Sequence, residues 1–357
     1  MLLAITWLLM VVLQYVNKFC GSNLFEILSN MKNRTSVLVV GLGSIGQRHA
    51  RLLSERSDVE LSICDRIEEY RAQTIASIHG RKITEYADFT IALKRKLPDI
   101  VFICVPNQFH VLIGLEAIKN GVDIFVEKPI SDSIESARKL VAAAESGKRF
   151  MQVGYMLRLD EGLSKMRELV ERGSLGNLIG GRAMIGTYIT LLNAKNQDRI
   201  KYPNSLIVDY THEIDFIRWF FGDVVDIKAM GANLGSLDMR PKPNIFQMLL
   251  RMKSGALVQI HMDYIQFPQR RIFEVYGDQG SLSYDFMTGE IRHFGFQREH
   301  QWEDISVLPI TDRWDGLFRA EHEMIFSRRN SGSVPLVSGE DGLRALEIAE
   351  RAIDAMS

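Results

Sequence analysis

The stretch Ser36-Val-Leu-Val-Val-Gly41-Leu-Gly43-Ser44-Ile45-Gly46 decides the fold. Its first half is an unbroken apolar run of strand length, and its second half reads G-x-G-x-x-G. The first glycine permits a tight turn, the second lets backbone approach a pyrophosphate, and the third allows close packing of the following helix on the strand. Alone, the pattern also fits a purely structural turn. Here the next run, VELSICD (59–65), ends in Asp65, where an acid can bind a ribose 2′-hydroxyl. Gly41, Gly43, Ser44, Ile45, Gly46 and Asp65 therefore predict a dinucleotide site. Asp65 repels a 2′-phosphate and favours NAD, while the adjacent Arg66 keeps NADP open.

Outward from this stretch, short β-rich runs alternate with helical segments. After SVLVVG and VELSICD come DIVFICV (99–105), VDIFVEK (122–128) and RFMQVGY (149–155). Between them lie SIGQRHARLLSER, NQFHVLIGLEAIKNG and SDSIESARKLVAAAESG, the last opening on capping-type Ser131 and Asp132 and closing on Gly147. Near-continuously apolar strands separated by helices predict a doubly wound parallel sheet with right-handed crossovers over 31–153. After Gly154 the pattern changes. A helical stretch near 159–173 leads into strand runs joined by short glycine-containing turns, as at Ser254-Gly255, which predict antiparallel hairpins. The expected class is thus α/β: a Rossmann domain, then an α+β domain (154–335) with a large, mostly antiparallel open sheet for substrate and oligomerisation. Helical segments are expected near 314–329 and 339–356, with residues 336–357 packing back on the first domain.

With 357 residues the chain is long enough for two domains. Forty-three basic against 44 acidic side chains, with no basic run, exclude nucleic acid as the main partner. Cys20, Cys64 and Cys104 are widely spaced and read as buried thiols of a reducing compartment, so a cytoplasmic location is expected. The histidines are scattered and form no metal-ligand set. The segment Leu2–Leu13 (LLAITWLLMVVL) is short for a spanning helix, which needs about 20 apolar residues. It fits an upstream extension ahead of a start at Met31, a signal-anchor, or an interfacial helix. Membrane contact is expected only if residues 2–16 are retained.

Two further signals follow the third and fourth of these runs, at the strand ends where open α/β sheets bind ligands. They are Val105-Pro106-Asn107-Gln108-Phe109-His110 and Glu127-Lys128-Pro129-Ile130. Most lysines are solvated, but Lys128 follows a buried strand and precedes a proline that fixes its backbone. In order and spacing, GLGSIGQRHA, VPNQFH, EKPI, GYMLRLD and THEIDFIRWFFG resemble the Gfo/Idh/MocA oxidoreductases over about residues 35–356. The resemblance implies hydride transfer between a nicotinamide cofactor and one carbinol or carbonyl carbon of a sugar, inositol or nucleotide-sugar. It also implies a homodimer or homotetramer built through the open sheet. Lys128 would be the catalytic-site lysine, the bond before Pro129 cis, and His212 the acid/base. Val105, Pro106, Asn107, His110, Glu127 and Lys128 would lie at the cofactor.

Chemistry asks for the same groups. Oxidising a secondary alcohol needs a base that is neutral near pH 7 at the hydroxyl, and histidine suits this; a lysine ammonium can polarise the same oxygen. On a helical wheel Ile207, Tyr210, Ile214, Ile217 and Phe221 form a core stripe. Asp209 and His212 share a second face, continued by Phe216 and Trp219, so Asp209 is expected to orient His212. Asp215 and Arg218 are expected to form a surface pair worth a few tenths of a kcal/mol, with Glu213 near the boundary. Two departures from the family pattern stand out. Asp209 precedes His212 by three residues where many members have four, and Pro203-Asn204-Ser205 replaces glycines. Arg158, Tyr155, Arg199 and Lys201, with Lys195, are candidate contacts to an anionic substrate, although the loop from Asn193 to Tyr202 also reads as simply solvated. The rival class is a cofactor-binding sensor of the same fold without turnover.

Overall fold

Strand β1 (Thr35–Val40) is buried from Val37 onward and runs straight into the glycine turn, which opens helix α1 (Ser44–Ser54). In the computed structural model residues 34–188, 204–235, 243–295, 302–307 and 309–356 are described. They form two compact units that divide between Phe102 and Ile103.

In the first unit α1 is followed by β2 (Val59–Cys64), α2 (Glu68–Ala76), β3 (Thr84–Tyr86), α3 (Phe89–Arg95) and most of β4 (Ile100–Ile103), whose last residue opens the second unit. Strands β1 and β2 pair in parallel from Thr35↔Val59 to Val40↔Cys64, and β3 joins β2 in parallel. Three elements, α2, β3 and α3, are additional to the sequence-based alternation. β3 has three residues and its exposure shows no alternation, so it carries no period to read. Helix α3 is capped by Asp88, whose carboxylate accepts from Thr90 N and Ile91 N.

The second unit continues with α4 (His110–Lys119), β5 (Asp123–Val126), α5 (Ile134–Ser146) and β6 (Met151–Val153). The six-stranded sheet has the order β3-β2-β1-β4-β5-β6. The cap of α5 is Ser133, accepting from Ser136 N at 3.2 Å, where Ser131 and Asp132 were expected. Beyond Gly154 follow α6 (Glu161–Glu171), β7 (Leu178–Gly186), α7 (Ser205–Asp209), α8 (Thr211–Phe221) and the strands β8 (Val224–Ala232), β9 (Ile245–Met252) and β10 (Leu257–Asp263). Next come β11 (Arg270–Gly277), β12 (Gly280–Asp285), β13 (Glu290–Gly295) and β14 (Trp302–Ser306), and the chain closes with α9 (Ile310–Ser331) and α10 (Gly339–Asp354).

The eight strands order as β14-β13-β12-β11-β7-β10-β9-β8. Adjacent pairs are antiparallel except β7–β10, which is parallel because the chain leaves β7 through α7 and α8 and returns by the β8–β9–β10 meander. The β9–β10 hairpin turns at Gly255, whose φ of +94° a side chain would strain. One face of this sheet is covered by α8: Phe216 and Phe220 each meet Phe273 of β11 at 4.9 Å between ring centroids. Burying each such ring contributes about 1.5–3 kcal/mol. Among the described residues the other face is uncovered; along β9 buried and exposed residues alternate, with Leu249 on the exposed side. Although the sequence pattern changes near residue 153, the second unit begins at Ile103, because α10 packs on α5 and β6 as well as on α8.

Candidate active site

In the first unit the glycine turn has the shape a dinucleotide needs. Gly41 adopts φ +90°, and a Cβ placed on Gly43 would have nothing within 4 Å. Helix α1 starts at Gly43 without a side-chain cap and without an acidic residue in its first turn, so its orphan N–H groups remain available for a phosphate. Asp65 accepts from Leu42 N at 2.7 Å and from Ile67 N at 2.8 Å, which fixes its carboxylate beside the turn and leaves lone pairs for a ribose hydroxyl. Ser44 and Arg66 are exposed and Ile45 is half-buried. These residues fit a dinucleotide. Behind them, burial followed by the charge of Asp65 pushes the Cys64 thiol up to about 12, so it is an inert thiol; Cys64 and Cys104 are both free.

In the second unit the loops after β4 and β5 are tied together by His110, 1% exposed. Its Nδ1 lies 3.0 Å from Pro129 O and its Nε2 2.8 Å from Val105 O. A neutral imidazole donates to one of these two carbonyls, so His110 braces the loops that carry Val105–Pro106 and Pro129, where the resemblance places the cofactor. Asn107 opens a short 3₁₀ turn (Asn107–Phe109) and is half-buried, with Pro106 exposed. Glu127 Oε2 accepts from Lys128 N at 3.1 Å. Gly154 makes room for that carboxylate, since a Cβ there would stand 3.2 Å from it. The Lys128–Pro129 bond is cis, as the resemblance implied.

Lys128 is half-buried and its Nζ donates to the backbone carbonyl of Asp209 at 2.7 Å. The expected continuous helix over 207–221 is instead two, broken at Tyr210 (φ −106°, ψ 31°). At the break Glu213 N bonds Tyr210 O, so the Asp209 carbonyl loses its usual i+4 helical donor and receives the lysine. Asn204, at the start of α7, takes φ +61°: asparagine supplies the left-handed residue where relatives are expected to carry glycine.

The Asp209 carboxylate does not orient His212. It accepts from the hydroxyl of Tyr264 at 2.7 Å, a residue just past β10 that carries no sequence signal of a site. His212 is partly exposed, its Nδ1 is buried without a hydrogen-bond partner, and its ring meets the edge of Tyr155 at 5.4 Å. Burial, then the charges of Lys128 and Arg271, hold the imidazole well below the ordinary histidine range. Tyr155, expected at the substrate, is fully buried and packs behind His212; burial and then Asp215 raise its hydroxyl.

The remaining charges of α8 face inward. Glu213, expected near the boundary, is fully buried and accepts from Arg271 Nε at 2.8 Å; burial raises its carboxyl and Arg271 opposes that. Asp215 was expected in a surface pair with Arg218. It is 2% exposed and held by both Arg158 Nη2 (2.7 Å) and Nε (3.0 Å). Arg218 reaches Asp341 at 2.7 Å instead. Arg158 is therefore corrected from substrate ligand to structural ion: it is 7% exposed and committed to Asp215, Asp341 and Leu336 O. The wheel misplaced Asp215 because α10 and the 3₁₀ turn Met156–Leu159 cover the face assigned to solvent. Lys195, Arg199 and Lys201, like Cys20 and the segment 1–33, lie outside the described residues.

Residues 35–155 match the model of an oxidoreductase family with an NAD-binding Rossmann fold, and residues 167–357 match that family's C-terminal alpha/beta domain. The chain belongs to the Gfo/Idh/MocA oxidoreductase family. Among curated members, an inositol 2-dehydrogenase of Salmonella typhimurium is 27% identical over 190 residues, 52% of this chain and 54% of that protein. The chain thus spans about half the length of the curated relatives it first matches. The inositol 2-dehydrogenase of Rubrobacter xylanophilus is 28% identical over 280 residues, 76% of this chain and 77% of that one. Among solved structures, scyllo-inositol dehydrogenase from Lactobacillus casei, with NAD(H) and scyllo-inositol bound, has a TM-score of 0.77 at 19% identity, covering 90% of this chain and 97% of that one. An oxidoreductase from Agrobacterium radiobacter, in complex with NAD+, L-tartaric acid and magnesium, reaches 0.81 at 18% identity over 90% and 96%. At these identities the likeness speaks for the fold. Among the described residues no helix is long and apolar enough to cross a membrane.

Proposed function

We propose that the protein is an NAD-dependent oxidoreductase that oxidises or reduces one carbinol or carbonyl carbon of a sugar, inositol or nucleotide-sugar, with NADP as the other cofactor that Arg66 admits. One observation carries this reading: the Lys128 ammonium is fixed at 2.7 Å on Asp209 O, three residues before His212, whose imidazole burial and the charges of Lys128 and Arg271 hold below the ordinary histidine range. Gly41, Gly43, Ser44, Ile45, Gly46 and Asp65 would hold the dinucleotide. When bound, the nicotinamide supplies the hydride acceptor. His212 takes the hydroxyl proton of the alcohol, a step worth about 10² to 10⁴ in rate. Lys128 polarises the same oxygen, and its positive charge also resists protonation of His212 before substrate arrives. Tyr155 keeps the imidazole in place through its ring edge. In this reading 31–153 is the cofactor domain, 154–335 the substrate and oligomerisation domain, and 336–357 the returning helix.

The test is NADH formation from a panel of sugars and inositols by the purified protein, with Lys128→Ala and His212→Ala each lowering turnover at least 100-fold while NAD still binds. Turnover unchanged in both variants refutes the assignment. The same proposal includes a homodimer or homotetramer through the open sheet face, where Met230, Leu249 and Leu257 are 56–69% exposed among Lys228, Arg251 and Arg182. A monomeric mass by light scattering would remove that part. Free, buried Cys64 is consistent with the cytoplasmic location expected from the sequence.

A further inference from the structure

We infer that Tyr264 is a positioning residue for Lys128: its hydroxyl holds the Asp209 carboxylate, and the Asp209 carbonyl in turn holds the lysine ammonium. This deepens the proposed function and rests on that reading for its catalytic consequence, though not for its geometry. Three segments distant in sequence meet here. Lys128 comes from the loop after β5, Asp209 from the last residue of α7, and Tyr264 from the end of β10, with 2.7 Å contacts across separations of 81 and 55 residues.

A lysine side chain has four rotatable bonds and loses about 2 kcal/mol of rotamer freedom when fixed. It stays in one place only if its acceptor does. That acceptor is a main-chain oxygen at a helix break, where regular hydrogen bonding no longer sets its direction, because Glu213 N has moved to Tyr210 O. Contacts outside the helical pattern therefore bear on where residue 209 sits. Tyr264 is suited to this: it is 1% exposed, its own N donates to Asn244 O at 3.0 Å, and its ring lies against Tyr210, the break residue, at 5.7 Å. The sheet is the rigid body, and Tyr264 is the link by which it sets the α7–α8 break. Asp209 then serves the lysine with both of its oxygen-bearing groups, the carboxylate anchored and the carbonyl accepting.

Tyr264→Phe removes one oxygen and leaves the ring packing. Two readouts follow from full-length protein. The first needs no substrate: the rate of Lys128 acylation by an N-hydroxysuccinimide ester, read by peptide mass spectrometry against other lysines of the same chain. Release of the ammonium should raise that rate about 10-fold, in line with one hydrogen bond of about 1.4 kcal/mol. The second is steady-state kinetics on whichever polyol is turned over, where kcat falls 10- to 100-fold with KM and NAD affinity within about 2-fold, as expected for a misplaced group. Asp209→Ala keeps the carbonyl but cuts the tie to Tyr264, so it should reproduce the labelling increase, and the double variant should add nothing to either single one. If Tyr264→Phe does not fold, Asp209→Ala carries the labelling test alone. An unchanged labelling rate in a folded variant, or additive effects in the double variant, overturns the inference. Raised labelling in a protein that turns over no polyol upholds the link and defeats the dehydrogenase reading instead.

Discussion

Replacing Arg158 by methionine separates a structural ion from a substrate ligand. The guanidinium makes two bonds to Asp215, at 2.7 and 3.0 Å, and both partners are almost fully buried. Removing one member of such a pair costs about 3–5 kcal/mol, because the other charge is left in a dry site. A second route gives the same size. The abandoned Asp215 can instead take a proton, and protonating a carboxyl of ordinary pKa near 4 at pH 7 costs about 3 × 1.36, or roughly 4 kcal/mol. In a domain of this size each kcal/mol moves the melting point by about 2–4 °C, so Arg158→Met should melt roughly 10 °C lower at pH 7. The pH dependence has a definite sign. Burial already raises Asp215 above the usual carboxylate range against the pull of Arg158, and without Arg158 it rises further. A carboxyl raised in the folded state binds a proton that the unfolded chain has released, so the deficit against the parent should shrink as pH falls from 7 towards the unfolded pKa of about 4. Differential scanning calorimetry of both proteins across that range measures it. Arg158→Met/Asp215→Leu should recover most of the loss. A melting point equal to the parent's, together with a KM raised for an anionic substrate, would falsify the structural role and restore Arg158 to the substrate.

Two further outcomes follow from the sites described. His212 should titrate below the ordinary value of about 6.5 by NMR of its ring protons, and Lys128→Met should move the midpoint upward by removing one of the two cations beside it; an unmoved midpoint would mean that the lysine charge does not act on the imidazole. Gly43→Ala should leave the melting point within about 1 °C, since φ is −66° and nothing lies within 4 Å of the new Cβ, yet weaken NAD at least 10-fold if a pyrophosphate comes against that backbone. Calorimetric titration with NAD decides it, and an unaltered affinity would place the dinucleotide elsewhere.

The Rossmann half was legible because each of its signals is local: an apolar run, glycines at fixed offsets and an acid at the end of the next strand. Lys128 and His212 stood out through their neighbours in sequence, and the structure brings Lys128 to the helix break that precedes His212. Their partners did not stand out. Tyr264 sits in HMDYI, an ordinary strand end, and Arg271 in a basic pair that reads as solvated. Both matter only because β10 and β11 lie beneath α7 and α8, a long-range placement that no period encodes. The helical wheel failed at Tyr210 for a related reason. It assumes unbroken 3.6-residue geometry, and a single residue with ψ near +31° ends that assumption.

The bond from Lys128 to a main-chain oxygen has an evolutionary side. A carbonyl is present whatever residue occupies a position, so the lysine's acceptor carries no signature in an alignment column and places no demand on residue type. What must be preserved is where the chain bends. A change in the count of residues between that bend and the histidine would leave the lysine's acceptor in place as long as the bend itself is kept. Surveys that score such sites by residue identity alone would discard functional sequences whose architecture is intact.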